Sequence, residues 1–339
     1  MRIGLVYDLR DDYRAMGYSD EQTVEFDSIE TIDGMAGALE RLGHTVDRIG
    51  HGKKLAQRLV LGDRWDLVWS IAEGLKGRCR EAQVPALLEL YDQPYAFSDA
   101  LTMAVALDKA VAKQLVAAAG VPTAPFMLLE SGSDSLAGWK HYPAFVKPLA
   151  EGTGKGCELA SKVATPAELV NAARALVHRF QQPALVEAFL PGREFTVGIV
   201  GNGPDARVVG VMEILLNKDA DQGVYSMRNK ELSEQLCSYE KADDATAALV
   251  AERGLAAYRA LGCRDSCRLD FRCDADGSPV FMEANPIAGL HPTHSDLPIL
   301  SGLNGISYDQ LIGLILQAAL DRYGLGAIEA RRVHRRKVG

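Results

Sequence analysis

Several signatures are missing from this sequence, and each absence excludes something. No Gly-x-Gly-x-x-Gly follows the first apolar run, Met1-Arg2-Ile3-Gly4-Leu5-Val6-Tyr7-Asp8, so a dinucleotide bound on a Rossmann-type phosphate turn is not expected there. The cysteines are Cys79, Cys157, Cys237, Cys263, Cys267 and Cys273, and no two are spaced as Cys-x-x-Cys. They read as reduced thiols that mainly pack. Positive charge is not in excess: 37 Lys and Arg against 45 Asp and Glu leave a net −8, which gives no electrostatic support to nucleic-acid binding. The apolar stretch near the C-terminus, Leu311 to Leu320, is interrupted by Gln317 and is too short to span a bilayer. The first residues are too poor in apolar side chains for a signal peptide. Internal repeats and low-complexity segments are also lacking. A cytoplasmic protein with neither a nucleic-acid nor a membrane partner is the expectation.

A chain of 339 residues holds two or three domains with real cores. Its 47% hydrophobic and 24% charged residues are ordinary for a globular enzyme. Residues 2–7 predict a strand, Thr31 to Leu42 a helix stopped by Gly43, Thr45-Val46 a second strand, Trp65 to Ser70 a third and Arg80 to Tyr91 a helix. Such alternation implies a parallel sheet with helices on its faces. Further helices are predicted over Ala104 to Ala119, Pro166 to Phe180 with Thr165 as its cap, Asp244 to Leu261, and Tyr308 to Tyr323. Arg331 to Lys337 is a basic tail of the kind that is usually solvated.

The richest stretch is Asp265 to Gly289. Arg268 and Asp270 alternate on one apolar run, Glu283 and Asn285 on a second, and Asp274-Ala275-Asp276-Gly277-Ser278-Pro279 between them is built of turn formers. Side chains two apart on a strand share a face. Pairing the two runs gathers two carboxylates, an amide and a guanidinium. Oxygen donors of that kind suit Mg²⁺ alongside substrate phosphates, and an adjacent arginine suits a developing anion. Upstream, Gly152-Thr153-Gly154-Lys155-Gly156 departs from the P-loop, because Lys155 is followed by glycine and then by Cys157-Glu158-Leu159-Ala160, which reads as a strand. A glycine loop between strands still offers backbone N–H groups to phosphate and can act as a lid. His291 and His294 have metal-ligand spacing, but Pro292 between them predicts a loop.

In this order and spacing the segments resemble the ATP-grasp ligases, specifically their D-alanine–D-alanine ligase branch, over most of the chain. The resemblance rests on Asp108-Lys109, Lys113 and Ala119-Gly120-Val121-Pro122-Thr123; on Phe145-Val146-Lys147-Pro148; on Glu151 to Gly156; on Val186-Glu187-Ala188-Phe189-Leu190 with Gly192-Arg193-Glu194; and on the hairpin. It implies an α/β ATP-grasp fold: a Rossmann-like N-terminal domain (1–98) and two α+β subdomains (99–186 and 187–330) that clamp ATP, followed by the basic tail (331–339). It implies that Lys109 and Lys147 contact ATP phosphates, that Glu151, Gly152 and Gly154 belong to the lid, and that Glu187, Phe189, Leu190 and Glu194 surround the nucleoside. Asp270, Glu283 and Asn285 would hold Mg²⁺, with Mn²⁺ an alternative ion. Arg268 and a backbone N–H near Gly289 would stabilise an oxyanion, and Thr153 stands where the family has a catalytic serine. The reaction implied is ATP-dependent joining of an acid to an amine through an acyl phosphate.

The acceptor half departs from that pattern. The family's His-Gly motif is replaced by Trp69-Ser70-Ile71-Ala72-Glu73-Gly74, and no tyrosine stands at Arg228 to Glu231, where Tyr225 is a shifted substitute. Glu25 is the candidate for the acidic partner of the lid. Glu73, Arg78, Arg80, His291, His294 and Ser295 are the candidates for a changed pocket. The arginines and His291 suggest a substrate with an additional acidic or strongly polar group. Small amino acids or related carboxylates are the expected substrates, with altered specificity relative to D-alanine. A genuine D-alanine–D-alanine ligase, a hydroxy-acid nucleophile and a non-catalytic ATP-binding regulator are the other readings. Monomer and homodimer both stay open.

Overall fold

Short buried runs alternating with amphipathic helices build a parallel sheet at the N-terminus. In the computed structural model, which describes residues 1–131, 134–220, 229 and 233–326, its strands are β1 (Arg2–Val6), β2 (Thr45–Gly50), β3 (Leu67–Ser70) and β4 (Tyr95–Ala96), in the order β2-β1-β3-β4. The crossover helix Ile29–Arg41 buries Ile32, Met35, Ala36 and Leu39, one face at helical spacing. Beyond its end Gly43 takes a φ of +91°, the left-handed turn that glycine permits without a Cβ clash.

A second sheet, antiparallel, contains β5 (Phe126–Leu129), β6 (Ala144–Pro148), β7 (Lys162–Val163) and β8 (Ala184–Ala188) in the order β5-β8-β6-β7. Helix Pro166–Phe180 packs on it. Its cap Thr165 accepts from Glu168 N, and the Glu168 carboxylate in turn accepts from Ala164 N at 2.7 Å. A third antiparallel sheet contains β9 (Glu194–Val200), β10 (Arg207–Leu216), β11 (Cys237–Lys241), β12 (Ser266–Cys273) and β13 (Pro279–Asn285), in the order β11-β10-β9-β12-β13. Helix Ala245–Ala260, capped by Asp244, covers one of its faces.

The largest apolar core crosses from one end of the chain to the other. Ile3, Leu5 and Leu39 belong to one cluster with Leu297, Leu311 and Ile315, because helix Tyr308–Arg322 returns against helix Ile29–Arg41. Arg322 fixes this docking by donating to the buried Asp265 from Nη2 at 2.6 Å and Nε at 3.1 Å, and Asp265 also accepts from Phe97 N at 2.8 Å and Asn202 Nδ2 at 3.0 Å. A buried charge pair completed by backbone donors of this kind specifies one docking geometry.

Four local expectations are corrected. The helix expected over Ala104 to Ala119 is two helices, Ala100–Leu107 and Lys109–Ala118. Asp108 between them has ψ 93° and caps the second through Val111 N, an N-cap hidden in an alanine-rich run. The segment after the glycine loop is a 3-10 turn, Leu159–Ser161, rather than a strand at 157–160. The helix expected from Arg80 opens as a 3-10 turn, Arg80–Ala82, before Gln83–Leu90. Trp65 precedes β3 instead of starting it. Helices Gly52–Val60 and Asp296–Leu303 were not expected. Tyr225, Arg228, Glu231 and the basic tail lie outside the described residues. Among the described residues no single helix is long and apolar enough to cross a membrane.

Candidate active site

The hairpin β12–β13 pairs Arg268 with Asn285 and Asp270 with Glu283, which brings all four side chains to one face. The alternate residues Leu269 and Phe271 are fully buried on the other side, so core packing locks the register. Arg268 donates from Nε and Nη2 to the two oxygens of Asp270, at 3.1 and 3.0 Å. Its Nη1 stands 3.4 Å from Asp296, the first residue of helix Asp296–Leu303. Thr196 Oγ1 on β9 and Asn285 Nδ2 also donate to Asp270, at 3.0 and 3.2 Å. Burial opposes the charge on Arg268, but Asp270 and Asp296 more than offset it and hold the guanidinium protonated.

Facing the hairpin is a lysine set. Lys113, from helix Lys109–Ala118, and Lys147, from β6, each approach Glu187 on β8 to 2.6 Å. Burial alone would raise the Glu187 pKa, and the two ammonium groups overcome it, drawing it down to about 2. Burial pushes Lys113 below its usual value even with Glu187 beside it. Glu187, expected beside the nucleoside, has each of its two oxygens 2.6 Å from a lysine. Lys109 donates to the Glu151 carbonyl at 2.6 Å and lies 3.4 Å from Glu283, joining the glycine loop to the hairpin.

The glycine loop is folded over the site. Thr153, Gly154 and Gly156 have φ of +51°, +69° and +76°, so a non-glycine residue at 153 sits in the left-handed region at a cost. The Glu151 carboxylate is held by Lys155 and by Gln182, both at 2.6 Å. Gly152 N donates to Glu25 of the N-terminal unit, and a Cβ at Gly152 would meet Glu25 Oε1 at 2.8 Å.

Two adjoining cavities result, sharing Lys109, Glu151, Glu283 and Asp296 as common wall. The first lies between the second and third sheets. It gathers Lys109, Lys147, Glu151, Gly154, Glu187, Phe189, Leu190, Glu194, Asp270 and Glu283 from the sequence-derived set, with Phe145 and Met282 as apolar walls. Glu194 is paired with Arg272 at 3.2 Å. The second cavity gathers Glu25, Glu73, Gly152, Thr153, Arg268, Asn285, Gly289, His294 and Ser295.

Three pocket candidates do not reach that second cavity. Arg78 is turned outward, 77% exposed, and pairs with Asp108 at 2.7 Å. Arg80 is buried behind the wall, 3.0 Å from Glu25. His291 turns its own loop, its Nδ1 accepting from Thr293 N and His294 N, both at 3.2 Å. The rings of His291 and His294 lie 4.4 Å apart. No set of three or more His, Cys, Asp or Glu forms a metal cage among the described residues. Sequence reasoning missed Asp27, Glu81 and Asp296 on the cavity wall. Glu81 was visible beside Arg80 as an acid in the altered segment, whereas Asp27 and Asp296 carried no local signal.

A family model described as "D-ala D-ala ligase C-terminus" matches residues 115–317. The uncharacterized protein y4sG of Sinorhizobium fredii is 32% identical over 302 residues, 86% of this chain and 88% of that protein. The D-alanine--D-alanine ligase of Aquifex aeolicus is 30% identical over 309 residues, 88% of this chain and 97% of that protein. The D-alanine--D-alanine ligase of Bacillus anthracis complexed with ATP superposes with a TM-score of 0.73 at 23% identity, covering 95% of this chain and 98% of that one.

Proposed function

The chain belongs to the D-alanine–D-alanine ligase family, and we propose that it joins a small amino acid or related carboxylate to an amine through an acyl phosphate, with specificity altered from D-alanine. It is an ATP-grasp ligase by fold and by kinship. The observation that carries the reading is the register Arg268↔Asn285 and Asp270↔Glu283 on the strand pair between the two cavities.

In this reading the first cavity takes ATP, with Phe145 and Leu190 against the base and Lys109 and Lys147 toward the phosphates. The donors Asp270, Glu283 and Asn285 fit Mg²⁺ or Mn²⁺, since such ions take one or two carboxylates together with substrate phosphates. When bound, the ion supplies neutralisation of the phosphate charge. The acid substrate sits in the second cavity and takes the γ-phosphoryl group, which leaves ADP. The glycine loop, held shut by Glu25, keeps water from the acyl phosphate. An amine then attacks the carbonyl carbon and phosphate leaves. Arg268 and the backbone N–H near Gly289 stabilise the tetrahedral oxyanion, and donors in that role contribute about 10²–10³ in rate.

The relatives named D-alanine–D-alanine ligases favour D-alanine as the substrate. The replacement of the family's His-Gly motif by Glu73-Gly74 favours another one. ADP release measured against D-alanine alone and against pools of D- and L-amino acids and hydroxy acids separates the two. Little release with D-alanine and brisk release with another pool supports altered specificity. Release on D-alanine at roughly 1–10³ s⁻¹ restores the plain ligase.

A further inference from the structure

The cavity beside Arg268 and Gly289 has an acidic N-terminal wall: Glu25, Asp27, Glu73 and Glu81 all line it. Arg80, the cation serving three of them, lies behind that wall, only 6% exposed. It stands 3.0 Å from Glu25 and 3.6 Å from both Glu73 and Glu81. The cations on the opposite side are already engaged, Arg268 by Asp270 and Asp296, and Lys109 by Glu283 and the Glu151 carbonyl.

Glu81 adds an independent observation. It is 9% exposed and hydrogen-bonds to the carboxyl of Glu73, so the two share a proton, while Arg80, 3.6 Å from both, is also paired with Glu25. Two carboxylates this close cannot both stay ionised where one arginine serves three acids. Burial and the neighbouring acids raise Glu73 well above the usual carboxylate range and Glu81 to about 7, despite Arg80.

We infer that this cavity selects an amino-acid substrate with a cationic side chain, whose ω-ammonium seats against Glu73 and Glu81. The inference rests on the ligase reading and names the substrate class of the same site. The α-ammonium of any amino acid accounts for one carboxylate of the wall. Glu25 already accepts from Gly152 N and Arg80. Glu73 and Glu81 share one cation, Arg80, with Glu25, and an ammonium with three donors supplies further charge and hydrogen bonds. Arg80 becomes a positioning residue that holds the wall. This reverses the expectation of an acidic substrate, which rested on Arg78, Arg80 and His291 facing the cavity.

The test compares ornithine with norvaline, which has the same carbon chain without the ω-ammonium, and with glutamate, each as both enantiomers. Steady-state ADP release is measured at saturating ATP and Mg²⁺. We expect kcat/KM for one enantiomer of ornithine to exceed that for norvaline by about 30-fold or more, the scale of a buried charge pair. Glu81→Gln and, as an independent variant, Glu73→Gln should each reduce that ratio by roughly tenfold or more. A ratio within one protein is insensitive to the fraction folded, so a merely structural role would not move it. Norvaline or glutamate matching ornithine in the unaltered protein overturns the inference and leaves the ligase reading intact, as does a ratio unchanged in both variants. Absence of ADP release with amino acids of every charge overturns the ligase reading and this inference together.

Discussion

Arg268 grips Asp270 with two bonds, Nε at 3.1 Å and Nη2 at 3.0 Å, one to each carboxylate oxygen. The cation assigned to the oxyanion and a carboxylate assigned to the metal therefore position each other. Lysine has the charge but cannot form this fork. Arg268→Lys should lower kcat by about 10²–10³ while the KM for ATP changes little. A kcat within tenfold of the unaltered enzyme would remove Arg268 from the reacting centre.

Glu187 separates two buried ammonium groups, Lys113 and Lys147, each 2.6 Å away. Glu187→Gln leaves both cations without their counter-charge. We expect a loss of about 3–5 kcal/mol, the usual scale for breaking a buried pair from one side, measured by urea unfolding. A loss under about 1 kcal/mol would mean that the lysines find other partners.

In the proposed mechanism the contact of Gly152 N with Glu25 latches the loop. Amide exchange over residues 152–156 should slow when ATP and Mg²⁺ are added, because bound phosphate adds contacts that hold the folded-over loop. In Gly152→Ala the new Cβ meets Glu25 at 2.8 Å. We expect that protection to be reduced and kcat to fall by on the order of 10–10². Equal exchange with and without nucleotide in the unaltered protein would argue against a lid.

The hairpin was legible because its polar side chains sit on regular paired strands. Arg268, Asp270, Glu283 and Asn285 alternate with core residues such as Leu269 and Phe271, so period two carried the signal. The acceptor wall was illegible for the opposite reason. Arg78 and Arg80 looked equivalent in sequence, yet the 3-10 turn Arg80–Ala82 sends Arg80 inward and leaves Arg78 to solvent. Asp108 was read as helix interior because a capping aspartate inside Ala104 to Ala119 breaks no apolar pattern. The unforeseen helix Asp296–Leu303 supplies Asp296 to Arg268, a contact only tertiary structure creates.

The acidic wall gives stability a pH dependence of known sign. Burial raises Glu81 to about 7 and Asp27 to about 7. A carboxyl whose folded pKa lies above its unfolded value favours the folded state below the unfolded pKa and loses that contribution as pH rises through the folded pKa. Glu81→Gln removes this liability. The variant should be more stable than the unaltered protein at pH 8 by on the order of 1–3 kcal/mol, read as a higher melting temperature, and the gap should narrow toward pH 5. A gap that is constant with pH, or that widens toward acid, would contradict a protonated buried Glu81.

The most direct measurement follows oxygen. An amino acid that supports ADP release is labelled with ¹⁸O in its carboxylate and turned over with unlabelled ATP and Mg²⁺ in ordinary water. Attack of the carboxylate on the γ-phosphoryl group, followed by displacement of phosphate by the amine, carries one carboxylate oxygen into phosphate. We expect one ¹⁸O in each inorganic phosphate released, in step with amide formed. Phosphate released with ADP but free of ¹⁸O would contradict an acyl-phosphate ligase.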